Sequence, residues 1–172
     1  MTHLIIREIK SEEYQMLGQL MIEIYSKLDG FPKPDEQPKY YEKLANIGSF
    51  NLQQKTQVLV ALSAENELLG GVVYFSDMVM YGSGGAATKV KNASGIRLLG
   101  VSNLARGKGV GKALTQYCIK LANEKNHSQI ILHTTQAMQV AWGMYQKLGF
   151  ERFEDLDFLQ QDFPVFGFRL KL

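Results

Sequence analysis

Between Leu104 and Ala122 the chain reads LARGKGVGKALTQYCIKLA. Gly107, Gly109 and Gly111 alternate with Lys108 and Val110, and a run of good helix formers follows. Glycine is costly inside a helix and useful just before one, where bare backbone must come close to something. A strand, a glycine loop and a helix start together form an anion site, because amide groups converge there and the helix dipole favours negative charge. A plain strand-to-helix turn needs one glycine rather than three alternating ones. Arg106, Lys108 and Lys112 add positive charge, either as anion contacts or as solvated surface groups.

The elements around this loop can be read from periodicity. Leu4, Ile5, Ile6 and Ile9 interleave with Arg7 and Glu8, which predicts a first strand. Ser11 is expected to cap a helix, with Glu12 and Glu13 in its first turn. Apolar residues at 14, 17, 20, 21, 24 and 28 give that helix its stripe. DGFPKPDEQP breaks it, and KYYEKLANIG predicts a shorter second helix stopping at Gly48. TQVLVALSA and ELLGGVVYFSDM read as two strands around a turn at Glu65-Asn66-Glu67. YGSGGAATKVKNASG reads as a mobile loop, and IRLLGV resumes as a strand. SQIILHTT is a strand and MQVAWGMYQKLG a helix with Gly149 as its stop. FERFEDL and PVFGFRLKL close the chain with two strands. The later half alternates strand and helix, so one α/β or mixed α+β domain over residues 1–172 is expected.

Bulk composition narrows the classes. The 172 residues can bury a sizeable core without disulfides or metal. A net charge of +2, with only small basic clusters, gives no case for nucleic acid. Cys118 is the lone cysteine, which suits a reducing, cytoplasmic setting. No signal peptide or membrane span is expected, and no His/Cys/carboxylate cluster has metal spacing.

Two phosphate motifs fail on the glycine loop. With Gly111-Lys112 as the GK of a P-loop, the first position is Arg106 and the last is Ala113, which has no hydroxyl for magnesium. The dinucleotide fingerprint G-x-G-x-x-G fails because the third glycine arrives one residue early. Arg106-Gly107-Lys108-Gly109-Val110-Gly111 does fit Q/R-x-x-G-x-G/A. That is the acyl-CoA pyrophosphate loop of the GCN5-related N-acetyltransferase (GNAT) superfamily. AWGMYQKLGFERF resembles the later signature of the same family, A-x-x-x-Y-x-K-x-G-F. The resemblance covers roughly residues 95–153 and rests on both motifs at the family's spacing.

The resemblance implies a central, mostly antiparallel sheet of about seven strands with about four helices, its fourth and fifth strands splayed. It implies acetyl-CoA as acyl donor and no metal. The pantetheine arm would pair with Leu99, Gly100 and Val101, Gly100 serving a bulge or close approach, and the amides from Gly107 to Ala113 would hold the pyrophosphate. A neutral amine would attack the thioester directly, through a tetrahedral intermediate. Tyr145 aligns with the tyrosine that protonates the leaving thiolate; the alternative is a core aromatic packed on Leu148 and Phe150. His133, on the fifth strand beside the splay, is either a proton relay through water or a satisfied structural histidine. Two departures stand out. Met138 occupies a position where many relatives carry asparagine, and Thr134, Thr135 or Gln136 would have to replace that contact. The fourth strand carries Arg97 where some relatives carry a glutamate base.

The acceptor is expected to be the primary amine of a small molecule or peptide. Asp29, Phe31, Tyr41, Asp77 and Tyr81 lie in the segments that set acceptor choice in the family, and aromatic faces and carboxylates both hold ammonium groups. A homodimer is compatible with this reading. Two other functions remain open at this level: transfer of a longer acyl group, and an acyl-CoA-binding regulatory module without turnover.

Overall fold

Along residues 56–62, Val58, Val60 and Leu62 belong to one hydrophobic core and Leu59 and Ala61 to another. Strand side chains alternate between faces, so this segment must divide two cores. The computed structural model describes residues 3–82 and 84–172. Their regular elements, in order, are β1 (Ile5–Glu8), α1 (Tyr14–Ser26), α2 (Pro38–Ala45), β2 (Thr56–Leu62), β3 (Leu68–Phe75) and β4 (Ala93–Val101). Then follow α3 (Val110–Glu124), β5 (Gln129–Thr134), α4 (Gln139–Lys147), β6 (Glu151–Arg152), β7 (Phe158–Gln160) and β8 (Phe163–Lys171). The strands form one eight-stranded sheet in the order β1-β2-β3-β4-β5-β8-β6, with β7 paired to β8. Every pairing is antiparallel except β4 with β5.

Helices cover both faces. Leu17, Met21 and Ile24 of α1 and Leu44 of α2 join the core on one side of β2. Val110, Leu114 and Cys118 of α3 and Tyr145 of α4 join the other. Burial on both faces explains why β2 and β3 read as nearly continuous apolar runs rather than alternating ones. Among the described residues no helix is long and apolar enough to cross a membrane.

Three local expectations are corrected. Ser11 does not cap the first helix: Lys10 stands before the opening 3-10 turn and its N–H donates to the Glu13 carboxylate at 2.9 Å. Glu13 is in turn held by both guanidinium arms of Arg7, at 2.9 and 2.8 Å. Gly48 is not a stop either, since α2 ends at Ala45 and a 3-10 segment runs over Ile47–Leu52. The chain end also holds one more strand than expected. β7 and β8 form a hairpin across Gln161 and Asp162, both at positive φ (49° and 67°), the geometry that twists a tight hairpin correctly. The glycine-rich loop after Tyr81 includes Ser83, which lies outside the described residues.

One irregularity shapes everything that follows. β4 pairs with β5 only from Ala93 to Ile96, against Gln129 to Leu132. From Arg97 onward β4 keeps β3 as its neighbour, while β5 continues along β8 through His133 and Thr134. The two central strands therefore part at Arg97. The bulge that accompanies the parting sits at Leu98, with φ of 58° and a register shift opposite Gly71–Val73. Gly100 serves the other of its two expected uses, a close approach: a methyl group there would strike the sulfur of Met21, so this glycine lets α1 lie close against the strand.

Candidate active site

The α3 loop is built for an anion. Gly107 and Gly109 both adopt φ of 78°, which glycine accepts without cost, and Gly109 is the N-cap of α3. A Cβ on either would meet nothing within 4 Å. The N–H groups of Gly107, Gly109, Val110, Gly111 and Lys112 donate to no acceptor among the described residues. Two amides of the expected set are committed elsewhere. Lys108 N–H donates to the Ala105 carbonyl at 3.3 Å, and Ala113 N–H closes the first helical turn on the Gly109 carbonyl at 2.9 Å. Arg106, Lys108 and Lys112 are exposed at the rim.

A groove of about 460 Å³ runs from these glycines along Leu99, Gly100 and Val101 of β4. Ile24, Tyr25 and Leu28 of α1 form one wall, and the segment from Ala137 to Ala141 the other. The Tyr25 hydroxyl donates to the Leu99 carbonyl at 2.7 Å and so fixes the exposed side of β4.

A second, smaller cavity of about 90 Å³ occupies the parting of β4 and β5. It shares Tyr25, Leu99, Met138 and Ala141 with the groove, so the two meet there. Tyr145 lines this cavity. Its ring packs on Phe150 at 5.7 Å, and its hydroxyl makes no hydrogen bond among the described residues. Burial pushes the Tyr145 pKa well above the usual tyrosine range, so the phenol keeps its proton at neutral pH. Thr135 lines the same cavity with its buried hydroxyl unpartnered among the described residues, while the Thr134 hydroxyl donates to the Met138 sulfur at 3.5 Å.

His133 also faces this cavity, with both ring nitrogens engaged. Nε2 lies 2.8 Å from the Leu156 carbonyl, which can only accept, so Nε2 carries the proton. Nδ1 then accepts from the Tyr81 hydroxyl at 2.9 Å. Burial is the main reason its pKa falls below the ordinary histidine value, with the nearby Arg97 charge adding to the effect.

The residues expected to bind the acceptor scatter. Phe31 lines the small cavity. Tyr41 is buried beside it, donating to the Pro32 carbonyl at 2.8 Å, and Tyr81 is buried behind the wall. Asp29 is exposed and lines neither cavity. Asp77 belongs to another surface, where it accepts from Val79 N–H at 3.0 Å and pairs with Lys55 at 3.6 Å. Tyr40, Phe158 and Phe163 complete the aromatic lining, and Arg97 is its one charged side chain. The sequence marked Arg97 only as a departure from a glutamate base and gave it no binding role; its one signal for such a role is a lone charge in the otherwise apolar IRLLGV.

Comparison with known proteins resolves the lineage. The model of the acetyltransferase (GNAT) family matches residues 18–150. The chain belongs to the GNAT acetyltransferase family. The family fold extends across the whole chain. A GNAT-family acetyltransferase from Staphylococcus aureus superposes with a TM-score of 0.75 at 20% identity, covering 99% of each chain. PaiA N-acetyltransferase from Thermoplasma acidophilum, solved with coenzyme A, gives 0.73 at 18% identity, again covering 99% of each. Human N-acetyltransferase 8B is 37% identical over 54 residues, 31% of this chain and 24% of that protein. N-acetylaspartate synthetase of Danio rerio is 38% identical over 61 residues, 36% of this chain and 22% of that protein. The chain thus matches about a quarter of the length of these curated relatives. Among the described residues no three His, Cys, Asp or Glu side chains are placed to hold a metal.

Proposed function

We propose that this chain transfers the acetyl group of acetyl-CoA to the primary amine of a small molecule or short peptide. The carrying observation is the junction at the parted strands, where groove and cavity meet beside Tyr145. Bound acetyl-CoA would supply an activated acyl thioester. The residues present suit it: the five free amides and the α3 dipole oppose pyrophosphate charge without metal. Leu99 to Val101, unpaired with β5, offer a strand edge to the amide-bearing arm. Arg106, Lys108 and Lys112 add charge at the rim.

Tyr145 acts as the acid. Its protonated hydroxyl gives a proton to the departing sulfur as the new N–C bond replaces the C–S bond, and water returns a proton to the phenolate, which burial disfavours. His133 positions rather than serving as the base, because its Nε2 carries a proton and its Nδ1 lone pair is occupied by the Tyr81 hydroxyl. The amine proton passes to water, since among the described residues no carboxylate lines the cavity. The small cavity favours a short acyl group over a long one. The buried thiol of Cys118, pushed up in pKa by desolvation, takes no part and fits the cytoplasmic setting proposed with this function.

The test is incubation with acetyl-CoA and a pooled library of amines and short peptides, reading free thiol. Release above the hydrolysis background with at least one compact amine is expected. A protein that is stabilised by CoA but acetylates nothing across the panel would be a binding module instead. Acetylation confined to lysines of folded proteins would overturn the compact acceptor.

A further inference from the structure

The charge inside the small cavity is opposite to the one expected for holding an ammonium group. Arg97 is the first residue beyond the last β4–β5 pair and lines the cavity where the strands part. Its Nη1 donates to the Tyr81 carbonyl at 2.9 Å, and the guanidinium lies 5.7 Å from the centre of the Tyr81 ring. That is one donor used of the five a guanidinium carries. The head group is therefore held in place with most of its hydrogen-bonding capacity unspent.

It also has no counter-ion. Among the described residues no carboxylate lies within 4.0 Å of Arg97, and none lines the cavity. The contrast with two other part-buried arginines is direct: Arg7 grips Glu13 and Arg152 grips Asp157, each with two hydrogen bonds. A second cation is near. Burial and the charge of Arg97 together hold the Lys43 ammonium below the usual lysine range. A charge withdrawn from water without a partner is costly, so an unpaired guanidinium facing a cavity marks where a ligand supplies the anion. The buried, unpartnered hydroxyl of Thr135 lies in the same lining, ready to donate to that ligand.

We propose that the acceptor amine carries a carboxylate, as a free amino acid does, and that Arg97 seats this carboxylate within the cavity between β4 and β5. The aromatic lining of Phe31, Tyr40, Phe158 and Phe163 then faces the apolar remainder of the acceptor. Arg97 sets specificity and positions the amine; the bond changes remain those of acetyl transfer. The inference rests on the acetyltransferase reading above, and its test separates the two.

Free alanine, leucine, phenylalanine, methionine and glutamate are each compared with their α-carboxamides, in the parent and in Arg97→Gln. One readout is thiol release from acetyl-CoA; the other is binding to the CoA-saturated protein, followed by thermal shift and amide NMR. At least one free acid should exceed its carboxamide by tenfold or more in kcat/KM and in affinity. Arg97→Gln should erase that difference chiefly through KM, lowering kcat/KM for the free acid by tenfold or more and for its carboxamide by much less. Arg97→Lys, which keeps the charge, should fall between them. A retained CoA shift shows that each variant is folded. Carboxamides that match their acids in the parent, or an Arg97→Gln variant that weakens both alike, overturn the carboxylate site while leaving acetyl transfer intact. Selective binding of free acids that depends on Arg97, without thiol release from any amine, keeps the site and overturns the transferase reading. Absence of selective binding and of thiol release overturns both.

Discussion

The Tyr81 hydroxyl and His133 Nδ1 lie 2.9 Å apart, and the second ring nitrogen donates to the Leu156 carbonyl at 2.8 Å. The imidazole thus ties the loop after β3 to the turn before β7 across the end of β5. Without the imidazole the Tyr81 hydroxyl keeps the Ile96 carbonyl as acceptor at 3.3 Å, but the Leu156 carbonyl loses its donor, and leaving a buried polar group unpaired costs about 1–3 kcal/mol. His133→Gln is therefore expected to lower the melting temperature by roughly 2–12 °C, given about 2–4 °C per kcal/mol at this size. Turnover should stay within about fivefold of the parent. A fall of about a hundredfold or more in turnover, with stability unchanged, would make His133 a base after all.

The same histidine sets a pH dependence. The folded values of His133 and His127 lie below their ordinary value of 6.5, in both cases mainly through burial. The folded state then binds protons less readily than the unfolded one. Stability from these groups is fully present above 6.5 and is lost as the pH falls through the folded values. Glu13 and Asp157, lowered chiefly by Arg7 and Arg152, act in a separate window below their ordinary 4.5 and 3.8. Melting curves between pH 8 and pH 5 should fall on the acidic side in the parent and less steeply in His133→Gln. Parallel curves would show that His133 does not carry the effect.

CoA or acetyl-CoA should raise the melting temperature, by about 2.7 kcal/mol of stability at a hundredfold excess over Kd; NAD, or ATP with magnesium, should do much less. Gly111→Val adds a side chain in ordinary contact with Val101 and Met144, without backbone strain, and should remove the CoA shift at little cost in intrinsic stability. Gly109→Val should lose both, because valine must adopt φ of 78°. A CoA shift preserved in both folded variants would place the pyrophosphate elsewhere.

Tyr145→Phe removes a hydroxyl that has no partner among the described residues, so the melting temperature should stay within a few degrees and the CoA shift should persist. Turnover should fall about a hundredfold or more if the phenol protonates the leaving sulfur. Turnover within a factor of two would assign Tyr145 to packing against Phe150.

The sequence alone determined what depends on local spacing. Three alternating glycines ahead of a helical stripe specify the loop and its open amides, because positive φ and missing Cβ atoms are properties of the residues themselves. The helix stripes and the β2 and β3 runs likewise follow from apolar periodicity. Tertiary structure decided what depends on distant partners. Of the two uses open to Gly100 the structure chose close approach, beneath Met21, and the bulge fell at Leu98. Asp77 was drawn to Lys55 and Asp29 was left in solvent, while Arg97, legible in the sequence only as the absence of a strand carboxylate, came to face the cavity with no counter-ion among the described residues. Charges act through space at a few ångströms, and which groups come that close is settled by packing of segments far apart in the chain.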